Sequence, residues 1–537
     1  MHSALKISWI AFAVINIWVH AAARDIHVSH SAPDGGDGAR ERPLRTLDSA
    51  LRVAEPGDVV CLAEGVYREG NLRFYRGGTS EKRLTVQANA DAKVVITGST
   101  VVTGWRQSDN GAWRRESWDT DSQQLFCDGE PLKQIGAANS FTTLDGGDGN
   151  PCLKPTGSSV DDLTSGSFSY DSASKKLFCR LRDDADPNQY LMEASVEPGI
   201  LDGGDSSFIT LRGITFQHSN GTASGQRAAL VRISGSGWLV EDCTFAAGDF
   251  AGVAVSGDGH VFRNVRVIGN GCVGIDVNGS DARHNNERYA DRELQNLLFD
   301  SLYISENNYR GFYQYWHSGG MKLVPGVRGV TVRNCTVVNN HGPGIWFDAA
   351  LGSNRVEDNL VADNDVGIIY EIGYPAADDE MGILIRNNRV ARNRNQGVYI
   401  SASDHAEIRN NTFYMNVWDV VLHGMPRGDG TLKHNVVSNN IFMGRDADAI
   451  LYVGENARDN VLEGNVYARG NGKLRVGCVT GNGYDARYHK LRSLRSDFSE
   501  FEKNGVSESV EWNNPEELDF TLRSPENWIG KGWEPRE

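Results

Sequence analysis

Two carboxylates, Asp348 and Glu371, close two similar stretches of this sequence. The stretches read VRNCTVVNNHGPGIWFD and VEDNLVADNDVGIIYE, and their terminal acids are 23 residues apart. That spacing is about one turn of a parallel β-solenoid, whose neighbouring strands lie about 4.7–4.9 Å apart. We therefore expect the acids to be neighbours on one outer face, where like charges repel and a fold does not require them. Such a pair is suited to nucleophilic and acid–base catalysis.

Strand alternation predicts which side chains face outward beside these acids. The inward set is Ile345, Phe347, Ile368 and Tyr370, and the outward set is Trp346, Asp348, Ile369 and Glu371. Aligning the repeats on the glycine before the second strand predicts two outward columns along the solenoid. One column holds Ala254, Asp276, Tyr313, Trp346, Ile369 and Tyr399, and the other holds Ser256, Asn278, Tyr315, Asp348, Glu371, Ser401 and His423.

This face carries residue types that bind sugars, because aromatic rings stack on pyranoses and carboxylates bind hydroxyls. The candidate catalytic residues are Asp348 and Glu371, and the candidate substrate-binding residues are Trp346, Lys322, His317, Tyr313, Tyr315 and Asp276. Lys322 is expected either to form an ion pair with Asp348 or Glu371 or only to balance surface charge. The long connection Gly279–Asn296 is expected to wall one end of the pocket or to be a solvated loop. For the acids, calcium binding and a solvated surface are the alternatives.

The repeats that position these residues run from Phe208 to about Tyr467, mostly at spacings of about 20 to 30 residues. Asparagines recur at the corners, where amides can stack and where a left-handed backbone is tolerated: Asn264, Asn334, Asn359, Asn388 and Asn411. The fold class predicted is all-β, a right-handed parallel β-helix. Helical spacing of apolar residues in Thr46–Ala54 predicts a helix that caps its open end. Between Ser99 and Pro198 the repeat lapses, which predicts an inserted antiparallel β region.

These patterns divide the chain into five segments. They are a signal peptide at 1–23, a cap with the first strands at 24–98, the insertion at 99–198, the β-helix with the site at 199–470, and a C-terminal tail at 471–537. Met1–Ala23 has a weakly basic start, a short apolar run and three alanines, which is typical of a secretory signal cleaved near Ala23. A membrane anchor is the alternative, for which the apolar run is short. The expected location is secreted or periplasmic.

Composition limits the possible partners. The chain has 54 Lys plus Arg against 70 Asp plus Glu, a net charge of −16. This acidity argues against a general affinity for nucleic acid or anionic membranes, and mildly against a polyanionic substrate. The eight cysteines are sparse for a disulfide scaffold, and their spacing does not indicate zinc. The expected partner is an oligosaccharide or polysaccharide, with no cofactor, no metal and no stable membrane insertion.

The stretch GMKL…GIWFDAALGSNRVEDNLVADNDVGIIYEI resembles the β-xylosidases of glycoside hydrolase family 120, which are built on a right-handed β-helix of the pectin-lyase-like superfamily. That family has comparable Gly-x-Lys, Trp-x-Asp and Glu motifs. On this match Asp348 stands where the family has its nucleophile, and Glu371 where it has its acid/base. A looser likeness covers PLRTLDSALRVAEPGDVVCLAEGVYRE and the pair GW…AWRR. Before Gly-x-Lys the family has a Glu where this chain has His317 and Ser318, so the resemblance supports the chemistry more than the sugar.

Together the residues and the resemblance predict a secreted, retaining, exo-acting glycoside hydrolase. Two carboxylates about 5–5.5 Å apart leave no room for an intervening water, so Asp348 attacks the anomeric carbon and Glu371 serves as acid and then base. One alternative is a polysaccharide lyase, in which the acids and Asp276 bind calcium and Lys322 or His317 abstracts a proton. The other alternative is a non-catalytic carbohydrate-binding surface protein.

Overall fold

The structure is a computed structural model, and it describes residues 23–136, 156–223, 228–278, 295–373, 380–424, 431–445, 450–453, 457–468, 476–480 and 484–535. Residues 1–22 of the predicted signal peptide and residues 279–294 of the connection Gly279–Asn296 lie outside these ranges. Within them, no helix is both long enough and apolar enough to cross a membrane.

Three long sheets, each receiving one strand from every turn of the chain, form a parallel β-helix. Sheet 1 contains Asp25–Val28, Val59–Leu62, Leu84–Ala88, Ile209–Arg212, Leu239–Glu241, Val261–Arg263, Leu297–Asp300, Val330–Arg333, Asn354–Glu357, Ile383–Arg386, Ala406–Arg409, Val436–Ser438 and Val461–Glu463. Sheet 2 contains Gly65–Arg68, Val94–Thr97, Ile214–Gln217, Thr244–Ala246, Arg266–Ile268, Tyr303–Ser305, Thr336–Val338, Leu360–Ala362, Arg389–Ala391, Thr412–Tyr414, Ile441–Met443 and Val466–Tyr467. Sheet 3 contains Leu72–Arg73, Leu201–Asp202, Ala229–Ile233, Ala251–Ser256, Val273–Asn278, Gly319–Leu323, Ile345–Asp348, Ile368–Glu371, Gln396–Ser401, Trp418–His423, Ile450–Val453, Val476–Thr480 and Tyr484–Tyr488.

The predicted all-β solenoid is confirmed, and rows of buried apolar side chains form its core. Side chains that point inward occupy the same position in successive turns, so like residues stack on like. The rings of Phe262 and Phe299 are 5.0 Å apart between centroids, and those of Phe413 and Phe442 are 5.1 Å apart. Burial of such apolar surface is the main favourable contribution to folding. Sheet 3 extends past the expected boundary at residue 470, and its last two strands pair antiparallel.

Both roles predicted for the corner asparagines occur. At the corner between sheets 1 and 2, buried amides hydrogen-bond from turn to turn at 2.9–3.0 Å along Asn359, Asn388, Asn411, Asn440 and Asn465. Asn264 and Asn334 instead adopt left-handed backbone, with φ of 52° and 55°. A second ladder lies at the corner between sheets 2 and 3 and runs through Asn270, Asn307, Asn340, Asn364, Asn393 and Asn416. These ladders satisfy buried backbone and side-chain groups that would otherwise lose hydrogen bonds.

Two short helices close the ends of the solenoid. The helix Leu47–Val53 begins at Thr46, whose hydroxyl accepts from Ser49 N, and it buries Leu47, Ala50 and Leu51 in the main core. The predicted N-terminal capping helix is therefore confirmed. The helix Leu491–Asp497 buries Leu494 in the same core at the other end. Further along the tail, Trp512, Phe520 and Trp528 cover the outer face of sheet 2.

The insertion forms two small sheets beside the solenoid, and nearly all of its strand pairs are antiparallel, as predicted. One contains Glu130–Pro131, Leu125–Cys127, Met192–Ser195 and Ser99–Val101, and the other contains Lys133–Gln134, Ser167–Asp171, Lys176–Arg180, Trp113–Arg115 and Arg106–Gln107. Two-stranded pairs are formed by Leu432–Lys433 with Ala457–Arg458 and by Trp512–Asn514 with Asp519–Leu522. Cys127 and Cys179, in the core of the insertion, are free thiols.

Candidate active site

Asp348 and Glu371 are register partners on neighbouring strands of sheet 3. The strands Ile345–Asp348 and Ile368–Glu371 are parallel, and the Cα atoms of the two acids lie opposite each other. Because neighbouring strands are about 4.8 Å apart, the two carboxylates start from backbone positions separated by about that distance. The predicted adjacency of the two acids is confirmed.

A column of glycines fixes this register at the start of the strands of sheet 3. Its members are Gly252, Gly274, Gly320, Gly344, Gly367 and Gly397. A Cβ atom on Gly344 would lie 2.7 Å from the carbonyl oxygen of Gly367, and one on Gly367 would lie 2.4 Å from that of Gly397. Such distances are shorter than any ordinary contact, so only glycine allows the turns to stack this closely at this corner.

The glycine column also corrects the expected positions of Tyr313 and Tyr315. The sequence alignment set Tyr313 two residues after Gly311, whereas the glycine of that turn in the structure is Gly320. The register consequently places Lys322 between Asp276 and Trp346 in the outward column. The two tyrosines lie instead in residues 306–318, here named the rim loop, which leads from sheet 2 to sheet 3. Their predicted placement on the strand ladder is wrong.

The outward face is not an open surface, because the rim loop turns it into a cleft of about 360 Å³. The cleft is lined by Asp276, Asn278, Tyr315, Trp316, His317, Lys322, Val324, Pro325, Trp346, Asp348 and Glu371. Seven of the eight residues proposed from the sequence are therefore brought together, and Tyr313 is the exception. The side chain of Asp348 is 21% exposed, whereas Glu371 is 4% exposed. Asp348 is thus partly accessible to solvent, whereas Glu371 is almost fully buried.

Lys322 is the charged partner of Asp348 inside this cleft. Its Nζ lies 2.7 Å from Asp348 Oδ2 and 3.0 Å from the centre of the Trp346 ring, and its side chain is 1% exposed. Burial lowers the pKa of Lys322, while the charges of Asp348, Glu371 and Asp276 act in the opposite direction. The ammonium is therefore held by carboxylates and by an aromatic face in place of water.

Trp346 connects Lys322 to the second acid. Its indole Nε1 donates a 2.8 Å hydrogen bond to Glu371 Oε1, and both residues are buried. One face of the Trp346 ring lies beside the Lys322 ammonium, and the indole N–H donates to Glu371. These contacts fix the orientation of the Glu371 carboxyl group. This arrangement could not be read from the sequence, which indicated only an aromatic ring beside the acids.

His317 of the rim loop and Asp276 of sheet 3 meet in the lining of the cleft. His317 Nε2 lies 3.0 Å from Asp276 Oδ2. The imidazole packs between Phe250, with ring centroids 6.1 Å apart, and Trp316, with centroids 5.1 Å apart. This pair places a carboxylate and an imidazole where hydroxyl groups of a ligand can be bound.

Three residues of this region were missed or undervalued by sequence reasoning. Trp316 lines the cleft from the rim loop, whose conformation no repeat pattern indicates. Asn278 lines it from the end of a strand, although its place in the outward column also suited a solvated position. Asn395 donates a 3.3 Å hydrogen bond to the hydroxyl of Tyr315 and holds that ring at the edge of the cleft. Tyr313 stacks edge-on against Tyr315 and is exposed.

Within the described residues, no group of three or more His, Cys, Asp or Glu side chains is arranged to hold a metal ion. Beyond the cleft, along sheet 3, the Tyr399 hydroxyl lies 2.8 Å from His423 Nδ1. Ser401 is buried and pairs in register with Glu371 and His423.

The fold that carries this cleft is a right-handed parallel β-helix, and comparisons with known proteins agree with this fold class. A family model described as a right-handed β-helix region matches residues 229–413 and 374–486. A second model, described as chondroitinase B, matches residues 43–104, which do not include the cleft. The two matches therefore concern different parts of the chain.

Individual proteins are similar to this chain at low sequence identity. The uncharacterized protein YwoF of Bacillus subtilis (strain 168) is 36% identical over 76 residues, which is 14% of this chain and only 16% of that protein. A solved structure of XylC with xylose has a TM-score of 0.64 at 16% identity, covering 91% of this chain and 87% of that chain. A solved glycoside hydrolase has a TM-score of 0.50 at 14% identity, covering 90% and 96%. At these identities the structural likeness establishes the fold alone.

Proposed function

We propose that this protein is a secreted, retaining, exo-acting glycoside hydrolase that resembles β-xylosidases. The observation that carries the proposal is the in-register pairing of Asp348 with Glu371 inside a cleft. Backbone positions about 4.8 Å apart suit the carboxylate separation of about 5–5.5 Å in retaining glycosidases, and not the separation of about 6.5–9.5 Å in inverting ones.

The contacts of the two acids support different roles for them. Asp348 is the proposed nucleophile, because the Lys322 ammonium at 2.7 Å stabilises its negative charge. Glu371 is the proposed acid and base, because it is buried and its orientation is fixed by the Trp346 N–H. Asp348 attacks the anomeric carbon while the glycosidic bond breaks and Glu371 protonates the leaving oxygen. Glu371 then takes a proton from water, whose oxygen displaces Asp348 and releases the sugar.

The size and lining of the cleft support a small sugar unit. A volume of about 360 Å³ is near the lower end of the usual range for ligand sites, about 300–1,000 Å³. Asp276, His317 and Asn278 offer polar contacts, and Tyr315 and Trp316 offer aromatic ones. The resemblance to β-xylosidases and the structural likeness to XylC with xylose make β-xylosides the first substrates to test.

The test uses purified protein with a panel of nitrophenyl glycosides, with and without a chelator. Wild type is expected to release nitrophenol, and Asp348→Asn is expected to be inactive. Glu371→Gln is expected to lose most of its steady-state turnover, because it lacks the base for the second step. Glu357→Gln is the matched control, because Glu357 forms an ion pair with Arg386 on sheet 1, outside the cleft. NMR of the first product should show the same anomer as the substrate. An inverted anomer, or full activity in Asp348→Asn, would refute the mechanism, and sugar binding without turnover would favour a carbohydrate-binding protein.

A polysaccharide lyase is the second candidate, and the burial of Lys322 favours it. Burial lowers the pKa of this lysine and brings its amine closer to acting as the base that removes a proton from a uronate ring. The test is the appearance of absorbance from an unsaturated product on uronate polymers, together with loss of activity when calcium is chelated. The hydrolase predicts no such absorbance.

A further inference from the structure

The described residues of the insertion, 99–136 and 156–198, hold the base of the rim loop, and none of them lines the cleft. Every described residue that lines the cleft belongs to the β-helix or to the rim loop. Across the junction, the Gln124 side-chain amide donates a hydrogen bond to the Tyr309 hydroxyl, and Gln134 Oε1 accepts one from Arg310 Nη2. The rim loop is therefore attached to a part of the insertion that does not itself line the cleft.

Arg310 is the centre of this attachment. Its guanidinium donates to Asp249 and, over 3.2 Å, to Thr222 of the β-helix, as well as to Gln134 of the insertion. The side chains of Arg310 and Asp249 are 5% and 0% exposed. A planar guanidinium bonded on several sides fixes the angle between the elements it joins. Arg310 thus ties the rim loop to both the solenoid and the insertion.

Direct packing continues from this attachment to the cleft wall. Phe250 follows Asp249 in the chain, and its ring packs edge-on against Phe312 with centroids 5.5 Å apart. On its other side the same ring stacks on the His317 imidazole, which lies against Asp276. A continuous series of contacts therefore joins the insertion to the polar wall of the cleft.

We infer that the insertion is a positioning element for the sugar-binding wall, with Tyr309 and Arg310 as its positioning residues. It holds the rim loop so that His317 stays against Asp276, whereas the carboxylates on sheet 3 are positioned independently by the strand register. Binding groups must be held to within about 0.5 Å of their productive geometry, so a loosened loop weakens sugar binding before it affects proton transfer. The kinetic part of this inference rests on the proposed glycosidase function.

The kinetic test uses the full chain with Tyr309→Phe and Gln134→Leu, each of which removes one contact across the junction and conserves size. Arg114→Gln is the matched control. The described hydrogen bonds of the Arg114 side chain go to Glu116 and Ser108, and both partners lie within the insertion. We expect both junction variants to raise KM about three- to tenfold with kcat unchanged, and the control to leave both constants unchanged. In a His317→Ala background the junction variants should no longer change KM, since contacts that act through one residue are not additive.

Hydrogen exchange measured by mass spectrometry provides a readout that does not depend on activity. Amides of residues 306–318 should exchange faster in both junction variants, and those of sheet 3 should not change. If wild type hydrolyses no glycoside, the proposed function fails and the exchange result alone decides the positioning role. Unchanged exchange in the rim loop, acceleration throughout the protein, or faster exchange without a rise in KM in an active enzyme would each overturn the inference.

Discussion

Replacing Trp346 by phenylalanine should impair proton transfer by Glu371. Phenylalanine keeps an aromatic ring beside Lys322 and removes the indole N–H that donates to Glu371 Oε1 over 2.8 Å. Both Trp346 and Glu371 are 4% exposed, so water has little access to replace the donor. A hydrogen bond to a charged group contributes about 1.5–3 kcal/mol. At about 1.4 kcal/mol per factor of ten, kcat/KM should fall by about 10- to 150-fold.

The assay compares aryl glycosides whose leaving groups differ in acidity. A phenol that leaves as a stable anion needs little protonation, whereas a poor leaving group depends on Glu371. We therefore expect almost the full loss with phenyl glycosides and a small loss with dinitrophenyl glycosides. Tyr399→Phe is the matched control. Tyr399 packs against the same outer apolar cluster as Trp346, and the substitution removes only a hydroxyl that contacts His423. An equal loss for every leaving group, or no loss, would refute the role assigned to Trp346.

Three further substitutions test the energetics of the structure. Lys322→Met removes one partner of a buried ion pair, which costs about 3–5 kcal/mol when both groups are fully buried. We expect a smaller loss here, read as a lower melting temperature, because Asp348 is 21% exposed. Burial raises the pKa of Asp419 to about 8, so the native state retains a proton that the unfolded chain releases above about pH 4. Stability should therefore fall as pH rises from about 4 to 8, and Asp419→Asn should remove a slope of about 1.4 kcal/mol per pH unit, measured by denaturant unfolding across that range. Asn388→Ala breaks the buried amide ladder on both sides and should lower the free energy of unfolding by at least about 2 kcal/mol, whereas an unchanged denaturation midpoint would contradict a stabilising role of the ladder.

The periodic part of the molecule could be predicted because local pattern and turn length are sufficient to define it. Alternation in Ile345–Asp348 and Ile368–Glu371 identifies the outward acids, and their spacing of one turn pairs them. The capping helix is equally local, since helical spacing and the Thr46 cap lie within a few residues. The outward direction was predicted correctly, but the burial of Glu371 and its hydrogen bond from Trp346 were not, because both depend on side-chain packing between turns.

The rim loop could not be predicted from pattern, since two glycines compete for one place in the column. Gly311 and Gly320 are both followed, two residues later, by a side chain that suits an outward position, Tyr313 or Lys322. Only the close approach of Gly320 to Gly344 selects between them, because a Cβ atom on Gly320 would lie 2.4 Å from the Gly344 carbonyl oxygen. That contact lies between turns, and a single turn of sequence does not contain it.

The division between periodic and aperiodic segments also divides the proposed chemistry. The separation of Asp348 and Glu371 is set by the distance between neighbouring turns, and the glycine column prevents a slip that would turn Glu371 into the core. The proposed sugar contacts, by contrast, involve Asp276 and the rim loop, which is attached to the insertion. Substitutions in the rim loop should therefore change which sugar is bound while proton transfer survives. Substitutions in the glycine column, such as Gly367→Ala, should abolish turnover of every sugar alike.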